Sequence, residues 1–124
     1  MIQAFAGATV FDGTSLQLNA VLLVEEGRVT GIADRVPEGA HLTTLSGGII
    51  APGFLDLQVN GGGGEMVGTT TDAAQIARLC AVHGGLGATG ILPTLITDTP
   101  EVTARVLAAA GQAVGTPGFL GLHL

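Results

Sequence analysis

The sequence contains few charged residues and no lysine at all. Charged side chains make up only 11% of the 124 residues, whereas an average soluble domain has roughly 25%. The four basic residues are all arginines and stand against ten acidic ones, so the formal net charge is -6. A chain with this balance repels phosphate backbones and anionic lipids. We therefore expect no nucleic-acid partner and no membrane partner.

Cysteine and long apolar segments are also scarce. The single cysteine, Cys80, excludes an internal disulfide and predicts a small buried side chain in a reducing compartment. No run of about 18 apolar residues is free of polar interruption, and the first residues lack the positive charge of a signal peptide. These features predict a cytoplasmic protein. The length of 124 residues allows at most one complete domain.

Glycine, by contrast, is abundant, with 21 residues among 124. Four glycines follow one another at 61–64. A Walker phosphate loop ends in Gly-Lys-Ser/Thr, which a chain without lysine cannot supply, and a dinucleotide fingerprint needs its third glycine where Met66 stands. The run does permit positive φ angles and a close approach of the backbone to a ligand or metal centre.

The first fifty residues predict short β-strands joined by turns. Two apolar runs, 21–24 and 29–32, are separated by Glu-Glu-Gly-Arg at 25–28, which is the pattern of a β-hairpin. These strands are too few to close a sandwich or a barrel, so we expect them to need partner strands from elsewhere. We assign residues 1–48 to this partial β-sandwich.

From residue 49 to residue 124 the pattern changes to alternating strands and helices. The sequence predicts strands within 48–60, 88–95 and 119–124, and helices at 72–84 and 99–111. The β-α-β-α-β order implies parallel strands with right-handed crossovers. Both a doubly wound sheet and the opening of a (β/α)8 barrel have this order. Since no helix follows the third strand to cover it, we expect the chain to be truncated.

Local signals define both helices. Thr71 or Asp72 can cap the first helix, Gln75 stands where a capping box has its reciprocal partner, and Gly84 predicts the end. Thr-Pro-Glu at 99–101 predicts the start of the second helix. Its predicted end is at Gly111. The predicted core faces are Ile76, Leu79, Cys80 and Val82 in the first helix, and Val102, Val106 and Ala109 in the second.

Polar side chains alternate along the strand that precedes the glycine run. Side chains at every second position share a face of a strand, so Asp56, Gln58 and Asn60 lie on one face. The intervening residues Leu55, Leu57 and Val59 form an apolar face that we expect to meet helices. The two amides lie near the carboxyl end of the strand, which carries active sites in both architectures. They either line such a site or only satisfy loop backbone groups.

The three histidines differ in their predicted roles. The alternation along 119–124 predicts that His123 faces inward, near Gln58, while the leucines of this segment face outward. A histidine satisfied within a barrel core has the same pattern. His41 lies in the strand-rich segment and His83 at a helix end, where a positive charge suits the helix dipole. We assign structural roles to His41 and His83.

Three motifs, in this order, resemble a known family. They are Ala-Pro-Gly-Phe-Leu-Asp-Leu-Gln-Val-Asn-Gly-Gly-Gly-Gly at 51–64, Leu-Pro-Thr-Leu-Ile-Thr at 92–97 and Leu-Gly-Leu-His-Leu at 120–124. They are similar to the opening motifs of the N-acetylglucosamine-6-phosphate deacetylases of the amidohydrolase superfamily. The resemblance runs over essentially the whole chain and is tightest from Gly48 onward.

The resemblance implies an α/β fold made of the first three βα strands of a (β/α)8 TIM-type barrel. Part of a small β-sandwich, which family members build from both chain ends, precedes it. The implied enzyme is a metal-dependent hydrolase that converts N-acetylglucosamine 6-phosphate, an amino sugar phosphate, to glucosamine 6-phosphate and acetate. Full-length relatives resemble homodimers, so a homodimer is expected of a full-length chain.

The resemblance also implies which residues line the site. Most of the superfamily carries a metal-binding His-x-His pair where this chain has Gln58 and Asn60. A branch of the family with Gln-x-Asn is similar in using a single divalent metal, zinc or a similar ion, with ligands from later strands. Site-lining roles thus fall to Gln58, Asn60, Gly61, Gly62 and His123. Catalytic residues and metal ligands are expected beyond Leu124, so this fragment should bind no metal and be inactive alone.

Two other interpretations remain open at this point. The chain could be a non-catalytic, truncated β-α-β module that acts only through association with another chain. The residues that follow Leu124 in the gene would discriminate this module from the enzyme. A different amidohydrolase, such as a dihydroorotase, is disfavoured because such enzymes need histidines at the positions of Gln58 and Asn60.

Overall fold

The structure, a computed structural model, describes residues 1–124 and divides into two compact units, Met1–Pro52 and Gly53–Leu124. The first unit contains only strands, and the second contains both helices. In chain order the elements are β1 Gln3–Ala6, β2 Thr9–Phe11, β3 Leu16–Gln17, β4 Val21–Glu25, β5 Arg28–Ala33, β6 His41–Thr44, β7 Ile49–Ile50, β8 Phe54–Val59, β9 Gly61–Gly62, β10 Glu65–Met66, α1 Ala73–Gly84, β11 Ala88–Pro93 and α2 Pro100–Ala113.

The first unit is built from two small sheets, with strand orders β5-β4-β1-β6 and β3-β2-β7. The predicted hairpin is confirmed, since β4 and β5 pair antiparallel. Glu26 and Gly27 both have positive φ, as a two-residue type I′ turn requires. The strands β1 and β2 take their other partners, β6 and β7, from about forty residues further along the chain, and both of these pairs are parallel.

In the second unit, strand β8 pairs parallel with β11, helix α1 packs against β11, and helix α2 packs against α1. Parallel pairing with helical connections is the arrangement predicted from the alternating pattern. The core consists of side chains from β8, β11, both helices and the connecting segments. Its buried members are Val59, Val67, Ile76, Leu79, Cys80, Ile91, Leu95, Val106, Ala109 and Ala113.

Helix α1 begins where the sequence predicts. Asp72 is the N-cap, and its carboxylate accepts a hydrogen bond of 2.7 Å from the Gln75 backbone N–H. The reciprocal half of the predicted capping box is wrong, because the Gln75 side chain donates to the Met66 carbonyl oxygen instead. Val82, predicted in the core face, is exposed. It lies two residues beyond Cys80, about 200° around the helix, and so on another face.

Helix α2 also begins as predicted but ends later. The Thr99 side chain accepts from the Val102 backbone N–H, and proline follows this N-cap at the first helical position. The helix continues past Gly111, the predicted end, to the buried Ala113. Burial of this last turn outweighs the roughly 1 kcal/mol by which an interior glycine disfavours a helix. Neither helix is both long enough and apolar enough to cross a membrane.

The predicted third strand, 119–124, is not a continuous strand. It meets β11 through two isolated parallel bridges, Ile91 with Phe119 and Thr94 with His123. Proline has no N–H, so Pro93 cannot donate a hydrogen bond to the segment between these bridges. The pairing slips by one residue there, because the second bridge joins positions 94 and 123 rather than 94 and 122. Of the two leucines near these bridges, Leu120 lies against Gly90 and Leu122 packs against the core.

The apolar face predicted for β8 is covered only at its end. Val59 is buried at 3% exposure, whereas Leu55 and Leu57 are 63% and 60% exposed. The reason is that helix α1 packs on β11 rather than on β8, so the middle of this face is left uncovered. The expectation that all three side chains meet helices is therefore wrong for Leu55 and Leu57 within these 124 residues.

Candidate functional site

An open cavity of about 530 Å³ is lined by the carboxyl half of β8 and by the β9–β10 hairpin. Four of the five predicted site residues, namely Gln58, Asn60, Gly61 and Gly62, line it together. The fifth, His123, is not part of the lining. The sequence did not predict five other residues of this wall, namely Val59, Gly64, Glu65, Met66 and His83. Most of these residues belong to the β9–β10 hairpin or contact it. Strands of only two residues that contain glycine show no alternating pattern, so the sequence does not reveal this hairpin.

The four glycines form a tight antiparallel hairpin. Gly61 and Gly62 pair with Met66 and Glu65, and the two glycines between these strands have positive φ. A Cβ on Gly61 would overlap the Glu65 carbonyl oxygen. A Cβ on Gly62 would lie 2.8 Å from Nε2 of His83. Gly61 thus allows the two hairpin strands to approach each other closely, and Gly62 allows the hairpin to lie close to helix α1.

Helix α1 holds the β9–β10 hairpin through three polar side chains. Gln75 donates from Nε2 to a hairpin carbonyl oxygen at 3.0 Å. Arg78 donates from both Nε and Nη2 to the Glu65 carboxylate, each at 2.7 Å. His83 lies with Nε2 at 3.0 Å from the Gly61 carbonyl oxygen. A carbonyl only accepts, so this Nε2 carries the proton. His83, to which the sequence assigns a structural role, thus makes a specific contact with the hairpin.

The charges in the cavity wall are acidic. The hydrogen bonds from Arg78 hold the pKa of the Glu65 carboxyl below its usual range. Both side chains of this pair are partly exposed, which limits its effect on stability. Asp56 is the second carboxylate of the lining, and no arginine takes part. The cavity wall therefore contains no arginine or lysine side chain that would attract a phosphate ester.

Around Gln58, strand β8 departs from regular pairing. Asp56 pairs with Ile91 and Val59 pairs with Pro93, so three steps along β8 oppose two steps along β11. The extra residue makes this a β-bulge. The Gln58 N–H donates to Oδ1 of Asp56 at 3.1 Å. The ring nitrogen Nδ1 of His123 lies 3.1 Å from the Leu57 carbonyl oxygen, which places His123 next to this bulge.

The side chains present do not fit a metal ion. No group of three or more histidine, cysteine, aspartate or glutamate side chains is close enough together to hold one. The two amides of the cavity, Gln58 and Asn60, are poor zinc ligands beside imidazole or carboxylate. Nδ1 of His123 is engaged with a backbone carbonyl. These 124 residues thus offer no ligand set of their own.

The chain is similar to known deacetylases. It is 32% identical to an N-acetylgalactosamine-6-phosphate deacetylase of Shewanella sp. (strain ANA-3), an alignment that covers 94% of this chain and 31% of that protein. It is 41% identical to an N-acetylglucosamine-6-phosphate deacetylase of Homo sapiens over 63% of this chain and 20% of the relative. No protein-family model matches.

A solved structure shows the same similarity. The N-acetyl-D-glucosamine-6-phosphate deacetylase from Mycobacterium smegmatis, crystallised as a variant with N-acetyl-D-glucosamine-6-phosphate, matches with a TM-score of 0.81 and 30% identity. The match covers 99% of this chain and 32% of that one. This chain thus spans about a third of such relatives. The resemblance predicted from the three motifs is confirmed, as is an α/β fold, here made mostly of strands.

Proposed function

We propose that the chain is part of an N-acetylglucosamine-6-phosphate deacetylase, a hydrolase that releases acetate from N-acetylglucosamine 6-phosphate. The observation that carries the proposal is the match to the Mycobacterium smegmatis enzyme, which covers 99% of this chain and was solved with that sugar phosphate. In this proposal residues 1–48 are part of a β-sandwich, and residues 49–124 contribute the first strands of a (β/α)8 barrel.

The proposed role of this segment is to form one wall of the substrate site. The side-chain amides of Gln58 and Asn60 each offer both donors and acceptors, which suits sugar hydroxyls and an acetamide group. Both line the same cavity as Gly61 and Gly62. We propose that these four residues contact the sugar and that His123 supports the wall from its neighbouring position.

The remaining functions of the site are assigned to residues outside this segment. The cavity wall lacks an arginine, so we propose that the phosphate is bound elsewhere in the longer protein. A divalent metal ion, zinc or a similar ion, would likewise take its ligands from outside these 124 residues, because no cluster of suitable side chains exists within them. No catalytic residue is assigned to this segment.

The 4-epimer of the sugar is a second candidate substrate. The Shewanella relative, which aligns with 94% of this chain, is named an N-acetylgalactosamine-6-phosphate deacetylase. The two sugars differ only in the configuration of one hydroxyl group. A site that hydrogen-bonds this hydroxyl can discriminate strongly between the two substrates. Comparison of the two substrates under identical conditions separates the two proposals.

The proposal is tested on the protein as its source cells make it. Its intact mass is measured first, and a mass about three times the 12.3 kDa of this segment is expected from the coverage of the relatives. Acetate release is then measured with both sugar phosphates and with unphosphorylated N-acetylglucosamine. Release from a sugar phosphate supports the proposal. An intact mass of 12.3 kDa without any acetate release would support the non-catalytic module instead.

We also propose a homodimeric state for the longer protein and a cytoplasmic location. The dimer rests on the resemblance alone. For the location, the supporting observation is that Cys80 is buried and unpaired, which agrees with a reducing compartment. Light scattering of the purified protein and fractionation of its source cells test these two expectations.

A further inference from the structure

The peptide bond between Leu57 and Gln58 lies in the β-bulge of strand β8, beside the cavity. Leu57 and Gln58 fall between the ladder pairs formed by Asp56 and Val59, opposite a single residue of β11. In a bulge the extra residue is left out of the regular ladder. The polar groups of this peptide therefore need partners of another kind, because unsatisfied backbone groups are costly.

Two side chains supply these partners, one at each end of the same peptide unit. Oδ1 of Asp56 accepts from the Gln58 N–H at 3.1 Å. Nδ1 of His123 donates to the Leu57 carbonyl oxygen at 3.1 Å. The donor must be Nδ1–H, since a carbonyl oxygen only accepts. The peptide unit is thus held between an acidic side chain from its own strand and an imidazole from a segment 66 residues away.

His123 is itself well anchored for this contact. Its backbone N–H donates to the Pro93 carbonyl oxygen at 3.0 Å, and its own carbonyl oxygen accepts from the Leu95 N–H at 3.0 Å. The segment around His123 is therefore tied to the end of β11 on both sides of the residue. The anchored backbone fixes the point from which the imidazole reaches the Leu57 carbonyl oxygen, so the contact can determine where this carbonyl points.

We infer that His123 and Asp56 are positioning residues that hold the 57–58 peptide in the bulge and thereby aim the Gln58 side chain into the cavity. Bulges beside active sites re-aim side chains in this way. The contacts themselves are independent of any activity. Only the consequence for turnover rests on the proposed function, through the role of Gln58 in the substrate site.

The inference makes a specific statement about the His123 tautomer. In its neutral form the proton resides on Nδ1, and Nε2 is left as an acceptor. Long-range 15N–1H spectra of the intact protein with 15N-labelled histidine measure this directly, and His123→Asn identifies the signal. The expected result is the Nδ1–H form. A neutral His123 with its proton on Nε2 would overturn the inference, whether or not the protein has deacetylase activity.

Turnover provides the second test, with three variants of the intact protein. His123→Asn retains an N–H donor close to the position of Nδ1, whereas His123→Ala removes it. Misplacing a substrate-positioning group by about 1 Å can lower a rate about 100-fold. We expect kcat/KM to fall about 10- to 100-fold in His123→Ala and to stay within about threefold of wild type in His123→Asn. His41→Ala, at an exposed residue of β6, is the matched control.

The outcomes separate the two proposals. Equal losses in His123→Asn and His123→Ala, or a His123→Ala variant as active as His41→Ala, would overturn the positioning role. If wild type shows no deacetylase activity, hydrogen exchange at the backbone amide of Gln58 still tests the contact with Asp56. Exchange that is faster in Asp56→Ala than in wild type supports the bulge contacts, and unchanged exchange contradicts them. Inactive wild type alone refutes only the proposed function.

Discussion

Replacing Gly61 by alanine tests the hairpin that forms part of the cavity wall. The added Cβ would overlap the Glu65 carbonyl oxygen and would lie 2.9 Å from the Met66 Cα. All of these atoms belong to the backbone, so no flexible side chain can move aside. The two short strands β9 and β10 must separate instead, which would also weaken the contacts of the hairpin with Arg78 and His83.

The expected magnitude follows from these overlaps. An extra methyl group forced into a well-packed place destabilises by about 1–3 kcal/mol. Loss of the pair of Arg78 and Glu65 adds little to this, because both side chains are partly exposed and solvent screens their interaction. At about 1.4 kcal/mol per factor of ten, a loss of 1–3 kcal/mol makes local opening about 5- to 150-fold more frequent.

The assay is hydrogen exchange of the intact protein, followed on a peptide that covers residues 60–70. Gly68→Ala is the matched control, because a Cβ at Gly68 meets no atom within 4 Å and its φ is not positive. Exchange in this peptide is expected to accelerate in Gly61→Ala and to stay near wild type in Gly68→Ala. Equal exchange rates in the two variants would refute the close approach that the structure assigns to Gly61.

Three further predictions concern other parts of the chain. Ile76→Ala should destabilise by about 2–5 kcal/mol in denaturant unfolding, because Ile76 is fully buried, whereas Leu107→Ala, at 50% exposure, should have much less effect. Hydrogen bonds led by the one from the Ser15 backbone N–H lower the pKa of Asp12 to about 2 from its usual 3.8. Its stabilising effect is therefore present above about pH 4 and lost as the pH falls toward 2, so Asp12→Asn should converge with wild type in acid melts. Burial raises the pKa of the Cys80 thiol, so a thiol reagent at neutral pH should modify native protein much more slowly than denatured protein, and equal rates would contradict that burial.

The starts of both helices could be predicted because their signals are local. Asp72 and Thr99 each accept a backbone N–H of the first turn that follows them, and this interaction depends on only three or four residues. The end of α2 could not be predicted in the same way. Gly111 is locally a stop signal, but the helix continues because Ala113 is buried against the core.

The candidate site was predictable in its residues but not in its geometry. Gln58, Asn60 and the first two glycines line one cavity, as their sequence neighbourhood suggested. Strict alternation along a strand fails at a bulge, however, and bulges depend on pairing with a distant strand. The same reason explains the slip before His123, where the missing N–H of Pro93 interrupts the pairing. The hairpin contacts of Gln75 and Arg78 arise only once helix α1 packs beside it.

The parallel pairs of the first unit have a consequence for the order in which it folds. The hairpin of β4 and β5 closes a two-residue turn, whereas Thr9 of β2 must find Ile49 of β7 across nearly the whole unit. Loop closure over such a separation is entropically unfavourable, and high contact order slows folding. The β4–β5 hairpin is therefore expected to form within microseconds and the β1–β6 and β2–β7 pairs last. During synthesis, β1 and β2 must wait for about forty further residues before their parallel partners exist.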